Sequence, residues 1–301
     1  MNKKNSILIT GGTGLVGSDL TQSLLSTFGN VSVLYRERKL ALEGINWIKY
    51  DIGADSIENL NDIISETEIV IHNAACLKIG NTQLEKDEIE AVNVNFTRNL
   101  LKKIAYSDVK KVIFTSSFSI IKKPLPTLIT EDSEIECTTS YSNSKYIGEE
   151  IIREYAHKYQ INFNILRISS PVATELNMMP DTVLRKWIMK GLAKENIQVF
   201  GSGSRTQDFI SVSDISRAYI QCIKNKNVSG TFNLASGNSI SMLELAKLIT
   251  KKFGNRYEFV GNDDNENDRW NIDVSKIKEQ QQFIPNFTSK AAIENLLRRI
   301  N

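Results

Sequence analysis

The stretch Tyr141-Ser142-Asn143-Ser144-Lys145 sets a phenol and an ammonium four residues apart. On a helix that spacing stacks them on one face. A phenol with a pKa of about 10 is a poor acid or base at neutral pH, and a nearby cation favours its phenolate. Lys145 is therefore expected to lower the Tyr141 pKa, and Tyr141 to move a proton. A serine hydroxyl at a neighbouring strand end, in Ser116-Ser117, can hydrogen-bond the reacting oxygen. The same Y-x-x-x-K spacing also describes a half-buried tyrosine beside a solvated lysine, so the pair needs a second feature to give it meaning.

That feature is Ile7-Leu8-Ile9-Thr10-Gly11-Gly12-Thr13-Gly14-Leu15-Val16-Gly17, an apolar run broken by regularly spaced glycines and followed by Ser18 to Leu25. Gly11 or Gly12, Gly14 and Gly17 satisfy both G-x-x-G-x-x-G and G-x-G-x-x-G. The pattern predicts a buried strand, a tight turn with close backbone approach to a pyrophosphate, and a helix whose free N–H groups face the phosphates. The residues expected around a dinucleotide are Gly11, Thr13, Gly14, Leu15, Val16 and Gly17. Farther on, the second strand ends in Tyr35-Arg36, with Arg38 and Lys39 behind. NAD enzymes place an acid about 20 positions after the glycines to hold the ribose, whereas a guanidinium there binds a 2′-phosphate. NADP(H) is the expected preference with NAD(H) possible, and Glu37 is the counter-signal.

These groups have to be carried by regular elements. Val31–Tyr35, 45–51, Ile69–His72, 111–116 and 163–167 read as further strands, with helices predicted over 56–65, 85–106 and 141–159. Strands alternating with helices of this length indicate an α/β fold, a Rossmann-type doubly wound parallel sheet. The rhythm changes past Ser170, with a helix predicted over 181–195, a short strand over Ile197–Phe200 and a loop at 201–205. The expected domains are 1–170 for the dinucleotide and a smaller substrate-binding part over 171–301, with segments near 206–237 returning to the first. The acidic run 262–268 reads as a solvated loop.

Composition narrows the classes. The chain has 301 residues, 41% apolar and 24% charged, which is ordinary globular composition. Its 37 basic and 35 acidic residues leave a net charge of +2, too small a field to draw in nucleic acid or an anionic membrane. Lys3 and Lys4 before Ser6-Ile7-Leu8-Ile9 resemble the start of a secretory signal, but the glycines cut the apolar stretch short. No window reaches the length of a membrane helix. Three widely spaced cysteines, Cys76, Cys137 and Cys222, argue against a disulfide framework or zinc site and for a reduced, cytoplasmic protein. With His72 and His157 as the sole histidines, neither a histidine triad nor a metal site is expected. Cys76 reads as a small buried apolar residue.

Together these segments resemble an extended short-chain dehydrogenase/reductase, the superfamily of nucleotide-sugar epimerases, dehydratases and 4-ketoreductases. The resemblance covers nearly the whole chain. It extends through Tyr50-Asp51-Ile52, His72-Asn73-Ala74-Ala75, Asn93-Val94-Asn95, Leu166-Arg167, the run 207–214, the run 230–237 and Asp273-Val274-Ser275-Lys276. It implies that Tyr141, Lys145 and Ser117 are catalytic, that Asp51 and Ile52 contact the adenine, and that Ala74, Ala75 and Asn93 lie along the cofactor. It also implies that Ser170 and the C-terminal part face the substrate, and that the helices over 85–106 and 141–159 form a homodimer interface.

Two departures bear on the reaction. The 4,6-dehydratases of the superfamily carry Thr-Asp-Glu where this chain has Ser117-Phe118-Ser119, so a dehydratase is not expected. Its epimerases commonly place Arg before the Asp-Phe/Tyr pair to hold a diphosphate; here that position is Gln207, which leaves either Arg205, Arg269 or Lys186 for the task or a substrate other than a nucleotide sugar. The expectation is an NAD(P)-dependent oxidoreductase that reduces a 4-keto nucleotide sugar. A nucleotide-sugar epimerase is the alternative. A third class, a non-catalytic nucleotide-binding sensor or scaffold, is disfavoured by the intact Tyr141 and Lys145.

Overall fold

Ile7-Leu8-Ile9 and Ile69-Val70-Ile71 are continuous apolar runs without a polar face, and such runs suit strands covered on both sides. Both are fully buried strands in the computed structural model, which describes residues 6–78 and 80–300. Lys3 and Lys4 lie outside the described residues.

The principal sheet is built from β1 (Ile7–Thr10), β2 (Val31–Tyr35), β3 (Asn46–Lys49), β4 (Ile69–His72), β5 (Lys111–Ser117) and β6 (Asn162–Ile168). The remaining strands are β7 (Ser170–Val172), β8 (Ile197–Phe200), β9 (Thr206–Gln207), β10 (Phe209–Ser211), β11 (Gly230–Leu234), β12 (Ile240–Ser241) and β13 (Tyr257–Val260). Seven strands form one all-parallel sheet in the order β11-β6-β5-β4-β1-β2-β3. This is the doubly wound order with one strand added beyond β6. The order reverses between β1 and β4, so a crevice opens at their carboxyl ends, where ligands bind in such sheets.

The helices are α1 (Leu15–Phe28), α2 (Asn61–Ser65), α3 (Gln83–Ile89), α4 (Phe96–Ile104), α5 (Ser140–Tyr159), α6 (Val183–Leu192), α7 (Val212–Lys224), α8 (Met242–Phe253), α9 (Ser275–Gln281) and α10 (Ser289–Arg298). Alternation along β1 separates the two cores. Ile7 and Ile9 pack under α1, α7 and α9, while Leu8 packs with Leu100, Leu101 and Ile152 under α4 and α5. A third core, from Leu184, Ile188, Leu245, Ile249, Ile293 and neighbours on α6, α8 and α10, fills the C-terminal part. Past Ser170 the chain crosses back twice: α7 packs on α1, and β11 extends the principal sheet beside β6.

Three local expectations need correction. The helix predicted over 85–106 runs from Gln83 to Ile104 but is widened by a π-helical turn at Glu90–Asn95. The helix predicted over 181–195 is the shorter α6, capped by the Thr182 hydroxyl. The acidic run is a loop, yet its carboxylates are not simply solvated. Asp268 is 5% exposed and paired with Lys123, Asp263 binds Arg205, and Glu266 accepts from the Ser202 amide.

Candidate active site

The glycine turn resolves into distinct tasks. Gly11 sits at φ +69°, where a side chain is strained, and a Cβ there would lie 2.7 Å from the Ala74 backbone. Gly17 is pressed against the turn so closely that a Cβ would come within 2.0 Å of the Gly11 carbonyl oxygen. A Cβ on Gly14 meets only that oxygen, at 3.5 Å, and otherwise faces open space. Gly14 is also the residue before α1, and no side chain caps the helix. Its first amides are left for an external acceptor, at the positive end of the helix dipole. Bare backbone, uncapped amides and a missing Cβ form a cradle that fits a dinucleotide pyrophosphate.

Gly11, Gly14, Leu15 and Val16 form one wall of a cavity of about 270 Å³. Its other walls bring in Asn73, Ala74 and Ala75 after β4, Thr115, Ser116 and Ser117 from β5, and Tyr141 and Lys145 from α5. Sequence-distant candidates thus share one space. The remaining side is closed by Ile168, Ser169, Pro171 and Pro180.

The first turn of α5 is fixed by a capping box: the Thr139 hydroxyl accepts from the Ser142 amide, and the Ser142 side chain returns to the Thr139 amide. Lys145 Nζ lies 5.9 Å from the Tyr141 ring centroid and 5.1 Å from that of Phe114. It donates to the Thr115 carbonyl at 2.9 Å. Burial pulls the ammonium down to about 8, against an opposing pull from Glu149. Burial pushes the Tyr141 phenol up to about 12, offset in part by a hydrogen bond with Ser117. The expected lowering of the Tyr141 pKa by Lys145 is therefore not seen. The ammonium is turned toward Thr115, and desolvation of the phenol dominates. Ser117 Oγ also accepts from the Ser119 amide, which holds the strand end beside the phenol.

A polar lattice ties this pair to the glycine turn. Thr115 Oγ1 donates to Asn73 Oδ1 at 2.9 Å, and Asn73 Nδ2 donates to the Gly11 carbonyl at 3.1 Å. The buried Tyr219 hydroxyl joins Thr115 Oγ1 at 2.5 Å. Tyr219 was not singled out by sequence, because nothing in α7 taken alone points toward β5. Asn93, expected along the cofactor, is buried in the π-helical turn instead. It accepts from the Cys76 amide and donates to the Cys76 carbonyl and Ser144 Oγ. It clamps the segment after β4 to α5 without lining the cavity.

Other candidates fall elsewhere. Arg36, Glu37, Lys49, Asp51 and Asp55 surround a second opening past β2 and β3, where Arg36 and Glu37 pair at 3.3 Å. Tyr35 packs edge-on to Trp47 beneath Lys39. Asp51 accepts from the Gly53 amide, Ile52 is half-buried beside the second core, and Thr13 lies on the turn outside the cavity lining. Ser170 takes a hydrogen bond from Gln207 at 2.6 Å, adjacent to the lining residues Ser169 and Pro171. Arg205 is held by Asp263, Arg269 donates to the Glu266 and Asp268 carbonyls, and Lys186 pairs with Asp181. His72 is buried between Thr10 and Thr97, and burial, with the charge of Lys145, brings it down to about 3, so it stays neutral. Among the described residues no cluster of His, Cys, Asp or Glu could hold a metal, and no helix is long and apolar enough to cross a membrane.

The family model for the NAD dependent epimerase/dehydratase family matches residues 7–235, the span that holds the whole glycine turn together with Tyr141 and Lys145. The chain belongs to this family. It is an NAD-dependent enzyme of the extended short-chain dehydrogenase/reductase type. A putative UDP-glucose 4-epimerase of Methanocaldococcus jannaschii is 30% identical over 84% of both chains. A dTDP-4-dehydro-6-deoxyglucose reductase of Escherichia coli is 26% identical over 99% of this chain and 98% of its own. The crystal structure of a UDP-glucuronic acid 4-epimerase from Bacillus cereus, in complex with UDP-glucuronic acid and NAD, shares the fold. Its TM-score is 0.84 at 21% identity, over 98% of this chain and 100% of that one.

Proposed function

We propose that this family member is a nucleotide-sugar 4-epimerase that uses NAD and returns it unchanged at each turnover. The observation that carries the reading is the meeting of Tyr141, Lys145 and Ser117 with the uncapped glycine turn around one cavity. When bound, NAD supplies the acceptor and donor of a hydride. Tyr141 acts through its phenolate, the minor form at neutral pH, which takes the proton of the sugar hydroxyl and, as the phenol, gives it back; Ser117 orients that oxygen, and Lys145 balances the charge of the phenolate.

This reading reverses the order expected from sequence, in which net reduction with NADPH led. Arg36 is engaged by Glu37, and Asp51 and Asp55 line the same opening, so three carboxylates stand where a 2′-phosphate would have to sit against two cations, Arg36 and Lys49. That balance supports NAD over NADP. The epimerase relative at 30% identity points the same way. The second reading, a 4-ketoreductase, is favoured by Gln207 in place of an arginine and by the full-length similarity to the reductase. Cytoplasmic location and a homodimer through α4 and α5 remain part of the proposal.

The test incubates the purified protein with UDP-hexoses and added NAD, separates the epimers, and follows absorbance of reduced cofactor. A parallel arm supplies a 4-keto-6-deoxy nucleotide sugar with NADPH or NADH. Epimer interconversion without net cofactor change is the expected result. Stoichiometric cofactor oxidation in the second arm alone would establish the reductase instead.

A further inference from the structure

One buried charge cluster is not used by the reaction as described. Glu149, fully buried on α5, lies one helical turn beyond Lys145 and two beyond Tyr141. Arg167 of β6 grips it with two hydrogen bonds, Nε to Oε1 at 3.0 Å and Nη2 to Oε2 at 2.9 Å. Ser116 Oγ, from the strand end that lines the cavity, donates to Oε1 at 2.5 Å, and Arg153 Nη2 to Oε2 at 2.6 Å. A clamp joining α5, β5 and β6 would explain these bonds but says nothing about the lysine.

The charges that surround Lys145 say more. On its own helix stand Tyr141 and, one turn on, Glu149; from β4 comes His72; Arg153 and, from β6, Arg167 lie behind, against Glu149. Burial keeps the Tyr141 phenol protonated and the His72 ring neutral at neutral pH. Arg153 and Arg167 are cations. Glu150 pairs with Arg153 at the exposed end of the cluster, which leaves Glu149 as its buried anion, and Lys145 Nζ itself donates to an uncharged carbonyl, that of Thr115. The carboxylate is kept ionised: burial pushes it upward, but Arg167, Ser116 and Arg153 hold it below the usual range. An ammonium desolvated among neutral and cationic neighbours gives up its proton unless an anion stands close by.

We propose that Glu149 is a positioning residue for catalysis, the buried counter-charge that keeps Lys145 protonated at working pH. It touches neither the cavity nor a reacting atom. Arg153, about one-third exposed at the outer end of the cluster, opposes it and trims its effect. This goes beyond the proposed function, whose proton transfer needs Lys145 as the ammonium, but the charge relation itself does not depend on which sugar is bound.

The test reads the lysine directly, so that it stands even if no sugar nucleotide is turned over. The protein is labelled with carbon-13 at lysine Cε, the Lys145 signal is assigned by its disappearance in Lys145→Met, and its titration is followed by NMR in the full-length protein. Charges one turn apart at an effective dielectric of about 20 shift one another by roughly one to two pH units. Glu149→Gln is expected to lower the Lys145 midpoint by that amount, and Arg153→Gln to raise it by a smaller one. Should Glu149→Gln fail to fold, Arg153→Gln decides, since it alters a partly exposed side chain. Ser116→Ala, which removes a hydrogen bond but no charge, should leave the midpoint within a few tenths of a unit of wild type. Unmoved midpoints in the folded charge variants, or a fall in Arg153→Gln, would overturn the proposal and leave the cluster a clamp. In active protein, the alkaline limb of kcat should move in the same directions.

Discussion

Tyr141 and Lys145 sit where water cannot level their acidities, and each shift has a functional consequence. Tyr141→Phe keeps the ring that fills the wall and removes the transferable proton. It is expected to bind NAD with wild-type affinity and to lose about 100- to 10,000-fold in kcat, measured by epimer separation and NAD titration. Lys145 loses its proton in the folded protein at about 8, rather than at 10.5, because it is buried. The ammonium is therefore present below that pH and lost above it. Turnover is expected to hold through neutrality and fall as pH rises through about 8, which a kcat profile checks. For stability the sign is opposite: between 8 and 10.5 the unfolded chain holds the proton that the folded one has released, so this group's contribution to stability rises with pH across that window. The pairing itself was legible from the four-residue spacing, but the direction of the Tyr141 shift was not. It depends on burial and on the turn of Nζ toward Thr115, neither of which spacing encodes.

At the scale of elements, the glycine turn shows what a motif fixes and what it leaves open. The string Gly11 to Gly17 announced strand, turn and helix, yet it did not separate the glycine required by packing from the glycine required by a ligand. The structure does. Gly17→Ala drives a methyl into the Gly11 carbonyl and is expected to destabilise the fold by about 1 to 3 kcal/mol or more in urea melts. Gly14→Ala meets no wall, so its melting curve should remain close to wild type while NAD binding weakens about tenfold, roughly 1.4 kcal/mol. Equal loss of stability in both variants would contradict this division. The π-helical turn at Glu90–Asn95 was hidden for a different reason. Within it Asn93 grips Cys76 and Ser144 at long range, and a continuous helical pattern carries no trace of such contacts.

At the scale of the molecule, the parallel, doubly wound character of the sheet followed from alternating strands and helices, whereas the links between distant parts did not. Lys111 opens β5 ahead of the apolar run Val112-Ile113-Phe114. Its Nζ is buried, donating to the carbonyls of Cys222 in the last turn of α7 and of Asn225 and Val228 beyond it. Lys111→Met leaves those acceptors unpaired and is expected to cost about 1 to 3 kcal/mol in urea denaturation, without changing the catalytic pH profile. Arg205 and Arg269 likewise looked free to hold a diphosphate, and the folded loop 262–268 occupies them. In the proposed epimerisation one hydride leaves a sugar carbon and returns to it within the cavity lined by Tyr141, Lys145 and the glycine turn. The most direct measurement follows a UDP-hexose deuterated at C4 through the reaction by mass spectrometry and NMR. Deuterium retained at C4 in both epimers, with no free reduced cofactor accumulating, is the predicted result; deuterium lost to the released cofactor or to solvent would contradict it.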